Sequence, residues 1–247
     1  CVIRIMVDGS WEISHRKGWC EGDDIVAFQG KRYGWKVSLV QRLQRTWWRW
    51  AKQIITCSDF LRGVLVNTYG VDQAKVQTIF NAYHGPDPAT VTETREEARK
   101  SLGLRGDRRY LLTICRLMVW KQVDRVISSL RELPEDVELL ICGDGPEQES
   151  WEALARSLGL EERVHFRGNV PHELVPKYIR AADIFVLYSR YEGLSHTLIE
   201  VQTLGTAAVA SAVCGNPEVV SDGESGRLVG VDDAEGLVTT LRELLEN

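Results

Sequence analysis

A strict alternation of short apolar runs and helix-like segments in the second half of the chain most constrains its fold. The apolar runs are predicted strands at 110–115, 137–142, 164–166, 184–187, 207–210 and 226–229. Helical spacing predicts helices at 123–133, 147–158, 171–182, 197–203 and 234–245. Strands that alternate with helices are joined by right-handed crossovers, so this order predicts a parallel sheet covered on both faces. The predicted fold class is α/β, with a doubly wound, Rossmann-like domain.

Glycines and charged residues follow these predicted strands, whereas the strands themselves are apolar. The segments concerned are 116–121, 143–147, 168–170 and 189–195. Because open α/β sheets bind ligands outside the carboxyl ends of their strands, we expect a binding site at this edge.

The first part of the chain has a different composition and fewer strands. Residues 1–88 carry 12 Lys and Arg against 8 Asp and Glu, whereas residues 89–247 carry 18 against 27. Six of the eight tryptophans lie in the first 50 residues. Predicted strands at 2–7, 53–57 and 76–80 and helices at 35–52 and 60–69 indicate a partial Rossmann-like unit. Two prolines near residue 88 mark the expected boundary, which gives domains 1–88 and 89–247.

Several classes of protein are disfavoured by composition. A net charge of −5 argues against nucleic acid as a partner, and no apolar run is long enough to span a membrane. The six cysteines form no C-x-x-C pair, which predicts a reduced, cytoplasmic protein without a disulfide framework. Without a D-x-D motif or histidines at ligand spacing, we expect no metal and no cofactor.

Arg116 and Lys121 lie on one loop after the first strand of the second domain. A guanidinium fork and an ammonium group together suit a diphosphate. The alternative is that both are ordinary solvated loop cations.

Glu192 and Glu200 flank the start of a predicted helix. The free N–H groups of a helix that begins near Ser195 suit an anion, and a carboxylate at Glu200 can accept hydrogen bonds from a ribose diol. A partly exposed helix glutamate explains Glu200 equally well at this point.

The predicted helix at 35–52 has a basic face formed by Arg42, Arg45, Arg49 and Lys52. Its opposite side carries Val40, Leu43, Trp47, Trp50 and Ala51. This pattern resembles a helix on a membrane surface, which would make the protein peripheral at the inner membrane. We prefer the interpretation of a core helix with a solvated basic face, because the neighbouring strand needs cover.

Taken together, these motifs resemble retaining glycosyltransferases of family 4, in the glycogen-synthase-like superfamily with the GT-B fold. The matching pieces, in chain order, are Arg116-Leu117 with Trp120-Lys121, Gly143-Asp144-Gly145-Pro146-Glu147, Phe166-Arg167-Gly168-Asn169-Val170, Ala182-Asp183-Ile184-Phe185-Val186-Leu187-Tyr188-Ser189, Glu192 to Glu200, Gly205 and Asn216-Pro217-Glu218. In the first domain Asp8-Gly9-Ser10-Trp11-Glu12, Phe28-Gln29 and Ile79-Phe80-Asn81 match more loosely. Since members of this family have further strands before residue 2 and helices after residue 247, the resemblance implies a chain truncated at both ends.

The resemblance implies transfer of a sugar from a nucleotide-diphosphate-sugar donor to a glycan, lipid or small-molecule acceptor, with retention and without an obligatory metal. The catalytic residues would be Arg116, Lys121 and Glu192, of which the two cations neutralise the diphosphate. Glu192 would contact the transferred sugar beside the backbone of Gly193, Leu194 and Ser195. Glu200 would hold the ribose, and Gly168, Asn169 and Val170 would border the base. Asp8 and Trp11 would lie on the acceptor side.

The chain departs from the family pattern at five positions. They are Cys115, Gln122 and Cys214, where glycine is usual, and Tyr188 and Ala207, where proline is frequent. Lost glycines restrict the backbone, so these changes bear on efficiency more than on fold.

Two alternatives to transfer remain open from the sequence. One is a GT-B sugar-nucleotide epimerase of the non-hydrolysing kind, and the other is a non-catalytic fragment that binds a nucleotide-sugar.

Overall fold

The computed structural model describes residues 1–20 and 24–246. Packing contacts divide the chain into two compact units. The first comprises Cys1–Asn81 with Tyr191–Leu194, and the second comprises Ala82–Arg190 with Ser195–Asn247. The sequence predicts a boundary after residue 88, whereas the contacts divide the chain after Asn81 and assign one short later segment to the first unit.

The second unit is built on a six-stranded sheet in which all paired strands are parallel. Its strands are β4 (Arg109–Ile114), β5 (Val137–Cys142), β6 (Val164–Gly168), β7 (Ile184–Leu187), β8 (Ala207–Ser211) and β9 (Arg227–Val229). The strand order is β6-β5-β4-β7-β8-β9. The chain therefore winds outward from β4 to β6 and then restarts at β7 on the other side of β4. A sheet wound in this way has its crevice where the order reverses, between β4 and β7.

Both faces of this sheet are covered by apolar residues. Successive strand residues point to opposite faces, so Leu111 and Leu139 belong to one buried cluster, whereas Leu112 and Leu140 belong to the other. The covering helices are α5 (Arg95–Ser101), α6 (Val123–Ser129), α7 (Gln148–Ser157), α8 (Val175–Ala181), α9 (His196–Leu204) and α10 (Ala234–Glu246). Of these the sequence missed α5, although Thr94 and Glu97 form the capping box that marks its start.

The first unit contains a three-stranded parallel sheet in the order β1-β2-β3. These strands are β1 (Val2–Ile5), β2 (Gln53–Thr56) and β3 (Val76–Thr78), and the helices are α1 (Gly9–Arg16), α2 (Ile25–Gly30), α3 (Trp35–Trp50) and α4 (Asp59–Gly63). A π-helical turn at Val64–Thr68 continues α4. The sequence missed α1 and α2, each of which begins after an aspartate whose side chain accepts backbone N–H groups.

Helix α3 corrects the prediction of which face is buried. Of the five residues expected to face the core, Ala51 is buried and Val40 is half-buried, but Leu43, Trp47 and Trp50 are exposed. The buried side is centred on Val37, Gln44 and Trp48, roughly 80° round the helix. The reason lies in contacts between residues distant in sequence, because Gln44 hydrogen-bonds to Asp8 and Trp48 packs edge-on against Tyr69. The predicted basic face is exposed, as expected.

Within the described residues, none of the helices is both long enough and apolar enough to span a bilayer.

Candidate active site

A cavity of about 300 Å³ lies at the carboxyl edge of the six-stranded sheet. It is lined by Ile114, Cys115, Arg116, Cys142, Gly143, Asp144, Asn169, Val170 and Thr197. These residues end or follow β4, β5 and β6, or belong to the first turn of α9. Burial raises the pKa of the Cys142 thiol to about 12, so this part of the wall is uncharged at neutral pH. The cavity thus has two charged side chains in its lining, Arg116 and Asp144, and its other polar groups belong to Asn169, Thr197 and the loop backbone.

The loop after β4 carries both predicted cations. Arg116 is exposed and lines the cavity, whereas the next residue, Leu117, is fully buried and fixes the loop to the core. A single 3₁₀ turn at Val119–Lys121 follows, with Lys121 half-buried at its end. The two cations thus lie on one short segment anchored between them by buried side chains, as the sequence predicts.

Glycines allow the loops after β4 and β5 to pass very close to each other. Gly143 has φ of 131°, and a Cβ at this position would fall on the carbonyl oxygen of Cys115. A Cβ at Gly145 would similarly strike Leu117. The Leu117 N–H donates to the Asp144 carbonyl at 2.7 Å. The Gly143 N–H donates to the Gly168 carbonyl, also at 2.7 Å. The backbone therefore holds three strand ends together, which makes the cavity wall rigid.

Helix α9 begins at the cavity and carries Glu200 further along. The Ser195 hydroxyl caps the helix by accepting from Leu198 N–H at 3.2 Å. Glu200 is buried, and its Oε1 lies 3.1 Å from Nε2 of His172. The exposed His172 was not among the predicted residues, since an isolated histidine gives no signal in a sequence. The pair fixes the orientation of the Glu200 carboxylate.

The segment Tyr191–Leu194 belongs to the first unit and is held there by its own contacts. Asp8 N–H donates to the Tyr191 hydroxyl at 3.2 Å, and Nδ2 of Asn81 donates to the Leu194 carbonyl at 2.9 Å. A Cβ at Gly193 would strike the carbonyl of Met6, so only glycine fits there. Glu192 is buried in this segment. The loop that carries Glu192 is thus pinned on both sides of that residue.

The family described as "Glycosyl transferases group 1" matches residues 94–247, which is more than half of the chain. The chain belongs to the group 1 glycosyltransferases. The match covers the loops that line the cavity and the helix that begins there.

Curated relatives and solved structures agree with this family. The chain is 34% identical over 170 residues to a GDP-mannose-dependent alpha-(1-6)-phosphatidylinositol monomannoside mannosyltransferase of Mycolicibacterium smegmatis, covering 65% of this chain and 43% of the relative. The chain spans 40% to 50% of the length of such curated relatives.

Among solved structures, WaaG, a glycosyltransferase involved in lipopolysaccharide biosynthesis, superposes with a TM-score of 0.81 at 22% identity. This superposition covers 100% of this chain and 66% of WaaG. Anabaena HepE in complex with UDP and glucose superposes with a TM-score of 0.76 at 22% identity, covering 91% and 60%. The predicted α/β class with a GT-B-like fold is confirmed.

In this group 1 glycosyltransferase the structure brings several predicted donor residues to one cavity. Arg116, Asn169 and Val170 line it together, and Gly168 ends β6 beside them. Ser195 caps α9, and Thr197 in the first turn of that helix lines the same cavity. Thr197 was not among the predicted site residues. Glu192, Gly193 and Leu194 immediately precede that helix in the chain. The roles assigned to these residues remain predictions.

Asp8 and Trp11, predicted on the acceptor side, are both buried within the first unit. The Asp8 carboxylate caps α1 and accepts hydrogen bonds from Ser10, Gln29, Gln44 and Tyr69. Burial and the charge of Asp8 raise the pKa of the Tyr69 hydroxyl. Trp11 packs between His15 and Tyr191, with ring centroids 4.2 and 4.6 Å away. Their contacts support a role in holding the first unit and the Tyr191–Leu194 segment.

Two of the five departures from the family pattern fall where glycine has a conformational advantage. Gln122 and Cys214, with φ of 47° and 52°, are the non-glycine residues with positive φ in the described chain. Left-handed backbone is costly for residues with a Cβ. Tyr188, by contrast, donates from its hydroxyl to the Gly230 carbonyl at 2.7 Å, an interaction that proline could not make.

In residues 1–20 and 24–246 no group of three or more His, Cys, Asp or Glu is arranged to hold a metal ion. The expectation that the reaction needs no metal remains a prediction.

Proposed function

We propose that the chain is the donor-binding part of a family 4 glycosyltransferase that moves a sugar from a nucleotide-diphosphate-sugar to an acceptor hydroxyl with retention. The observation that carries the proposal is the cavity at the β4/β7 switch point. It combines an exposed arginine, loop backbone and the first turn of a helix, which together suit a diphosphate.

The donor would be held in parts along this edge. Arg116 and Lys121 would neutralise the diphosphate, and the backbone at Gly168, Asn169 and Val170 would border the base. Glu200, oriented by His172, would accept hydrogen bonds from the ribose hydroxyls. A pocket of about 300 Å³ is at the lower end of the range for small-molecule sites, which suits part of such a donor better than all of it.

The chemical step requires stabilisation of a leaving diphosphate. The bond between the anomeric carbon and the diphosphate oxygen breaks, a bond to the acceptor oxygen forms, and the proton of the acceptor hydroxyl passes to the departing diphosphate. Negative charge grows on the diphosphate, so preorganised cations at Arg116 and Lys121 lower the barrier. Glu192 would hold hydroxyls of the transferred sugar beside the backbone of Gly193, Leu194 and Ser195. Attack on the face that the diphosphate leaves would give retention.

Relatives guide the choice of donors to test. One curated relative is named as GDP-mannose-dependent, and HepE was solved with UDP-glucose. We therefore propose a hexosyl donor on GDP or UDP, with a glycan, lipid or small-molecule acceptor. The comparisons support transfer and give no support to the epimerase alternative.

The test is a thermal-shift screen of GDP- and UDP-sugars. A donor at 100 times its dissociation constant should stabilise the chain by about 2.7 kcal/mol, and Lys121→Ala should reduce this shift. Lys100→Ala, an exposed lysine on α5, is the matched control and should leave it unchanged. Acceptor-dependent release of nucleoside diphosphate, lost in Glu192→Gln, would then establish transfer. No shift with any donor, or equal shifts in both lysine variants, would contradict the proposal.

A further inference from the structure

Helix α3 presents an apolar stripe to solvent, defined here as Trp35, Leu39, Leu43, Trp47 and Trp50. The three tryptophans are 73%, 64% and 76% exposed, and the two leucines are about half exposed. Consecutive stripe residues are three or four positions apart, so they share one arc of roughly 120° on the helix surface. Contiguous exposed apolar surface of this kind marks an interaction site.

A basic arc adjoins the stripe on the same helix. Arg42, Arg45 and Arg49 lie on α3, Lys52 follows it, and all four are exposed. At 100° per residue, this arc begins within roughly 20° of Trp35. Residues 31–52 hold seven Lys and Arg and no Asp or Glu, although the whole chain has a net charge of −5. The positive charge is therefore concentrated beside the apolar stripe.

The third side of α3 holds the helix to its own unit. Val37, Trp48 and Ala51 are buried, and Gln44 hydrogen-bonds to Asp8 and Ser10. The stripe and the basic arc are therefore exposed together, and one partner can contact both without any rearrangement of the first unit. Lys36 extends from the start of the stripe, with its ammonium 6.0 Å from the centroid of the Trp35 ring, so its stem covers apolar surface while its charge stays in water.

We propose that α3 docks the first unit on an anionic lipid bilayer, with the stripe inserted among the lipid headgroups and the basic arc against their negative charge. Tryptophan prefers the depth of the headgroups, and a helix lying in the interface needs an apolar face flanked by cations. Leu39 and Leu43 favour lipid over single-stranded nucleic acid, because leucine side chains do not stack on bases as aromatic rings do. The chemistry of the partner is thus that of phosphatidylglycerol or another anionic phospholipid. This inference does not depend on the proposed function.

Co-sedimentation with vesicles tests the proposal. We expect binding to equal parts of phosphatidylcholine and phosphatidylglycerol, and little binding to phosphatidylcholine alone. Replacing the three arginines in R42Q/R45Q/R49Q should weaken binding about 100-fold, because each cation near the membrane surface strengthens binding roughly fivefold. The matched control K100Q/R131Q/R156Q removes three exposed cations of the second unit and should bind like the unmodified chain.

The stripe is tested separately from the charge. W35S/W47S/W50S should lose about tenfold or more in partitioning, because apolar area no longer leaves water, whereas Trp47→Phe should retain most of it. In the unmodified chain, brominated lipid should quench tryptophan fluorescence, and this measurement does not depend on whether a variant folds. A thermal melt of each variant without vesicles should match that of the unmodified chain, which controls for folding.

Four results would overturn the proposal. Equal binding to both vesicle types, or unchanged binding in R42Q/R45Q/R49Q, would remove the electrostatic basis. Absence of vesicle binding together with a dimer that W35S/W47S/W50S dissociates would assign the stripe to a second copy. Capture of single-stranded poly(U) without vesicle binding would assign it to nucleic acid.

Discussion

The two units of this glycosyltransferase differ in how closely burial follows the hydrophobic pattern of the sequence. In the second unit apolar side chains fill both faces of the sheet, and glycine-containing loops that carry Arg116 and Asp144 follow the strands at its carboxyl edge. In the first unit a carboxylate is buried with its hydrogen-bond donors, while three tryptophans of α3 face solvent. The hydrophobic pattern of the sequence therefore predicts buried residues well where apolar side chains cover both faces of a sheet. It predicts them poorly in the first unit, which is built round a buried polar cluster.

The largest effect that we expect concerns the rigid cavity wall of the second unit. Gly143→Ala should destabilise the chain by about 3 kcal/mol or more, because its Cβ would fall on a backbone carbonyl and the backbone at this position is left-handed. Gly106→Ala is the control, since nothing lies within 4 Å of its Cβ. Denaturant melts should separate the two variants clearly, and equal midpoints would show that the loops can move apart.

The buried carboxylate of the first unit supplies the next prediction. Asp8→Ala should cost about 3 kcal/mol, because it removes a helix cap and the buried acceptor shared by the side chains of Ser10, Gln44 and Tyr69. Asp24→Ala removes an exposed cap with the same geometry and should cost about 1 kcal/mol. Chemical unfolding of both variants measures the difference. Similar costs for the two would mean that burial of Asp8 adds nothing, and the contrast between the units would fail.

The α/β order of the second unit could be predicted from the sequence, since each apolar run there is a strand and each glycine-containing segment singled out follows one. Leu111 and Leu112 belong to opposite clusters, so the run is continuous rather than alternating, as expected of a strand covered on both faces. The switch point could be expected in general terms, but its place between β4 and β7 depends on strand order, which local pattern does not encode.

The first unit was harder because its decisive contacts join residues distant in sequence. Asp8 meets Gln44 and Tyr69 across 36 and 61 positions, and no local pattern marks these partners. The orientation of α3 follows from that cluster rather than from its apolar residues. The contact between Glu200 and His172 was likewise invisible, because it joins a helix to the loop after β6.

A smaller effect, on donor affinity, is expected from the contact between His172 and Glu200. His172→Ala should weaken donor binding by about fivefold, because the Glu200 carboxylate loses the hydrogen bond that orients it, whereas His172→Gln should keep most of the affinity. Donor titrations measure this, with unchanged melting in the absence of donor as the control for folding. Affinity equal to that of the unmodified chain in His172→Ala would show that Glu200 does not need this partner.

The smallest expected effect is a gain of stability in the second unit. Gln122→Gly should stabilise the chain by about 0.5–1 kcal/mol, because Gln122 has left-handed backbone and its buried Oε1 has no hydrogen-bond partner in the described structure. Gln148→Gly, at the start of α7, has no such strain to relieve and should destabilise. A lower melting temperature for Gln122→Gly would show that its side chain contributes more than its backbone costs.

Calorimetric titration of the chain with its donor, comparing Arg116→Ala with Arg131→Ala, tests the central claim most directly. Both arginines are exposed residues of the second unit, but only Arg116 is among the residues that line the switch-point cavity. We predict at least about tenfold weaker binding for Arg116→Ala, since it loses a charge-assisted contact with the diphosphate, and unchanged binding for Arg131→Ala. Equal affinities in the two variants would contradict the placement of the donor diphosphate in this cavity.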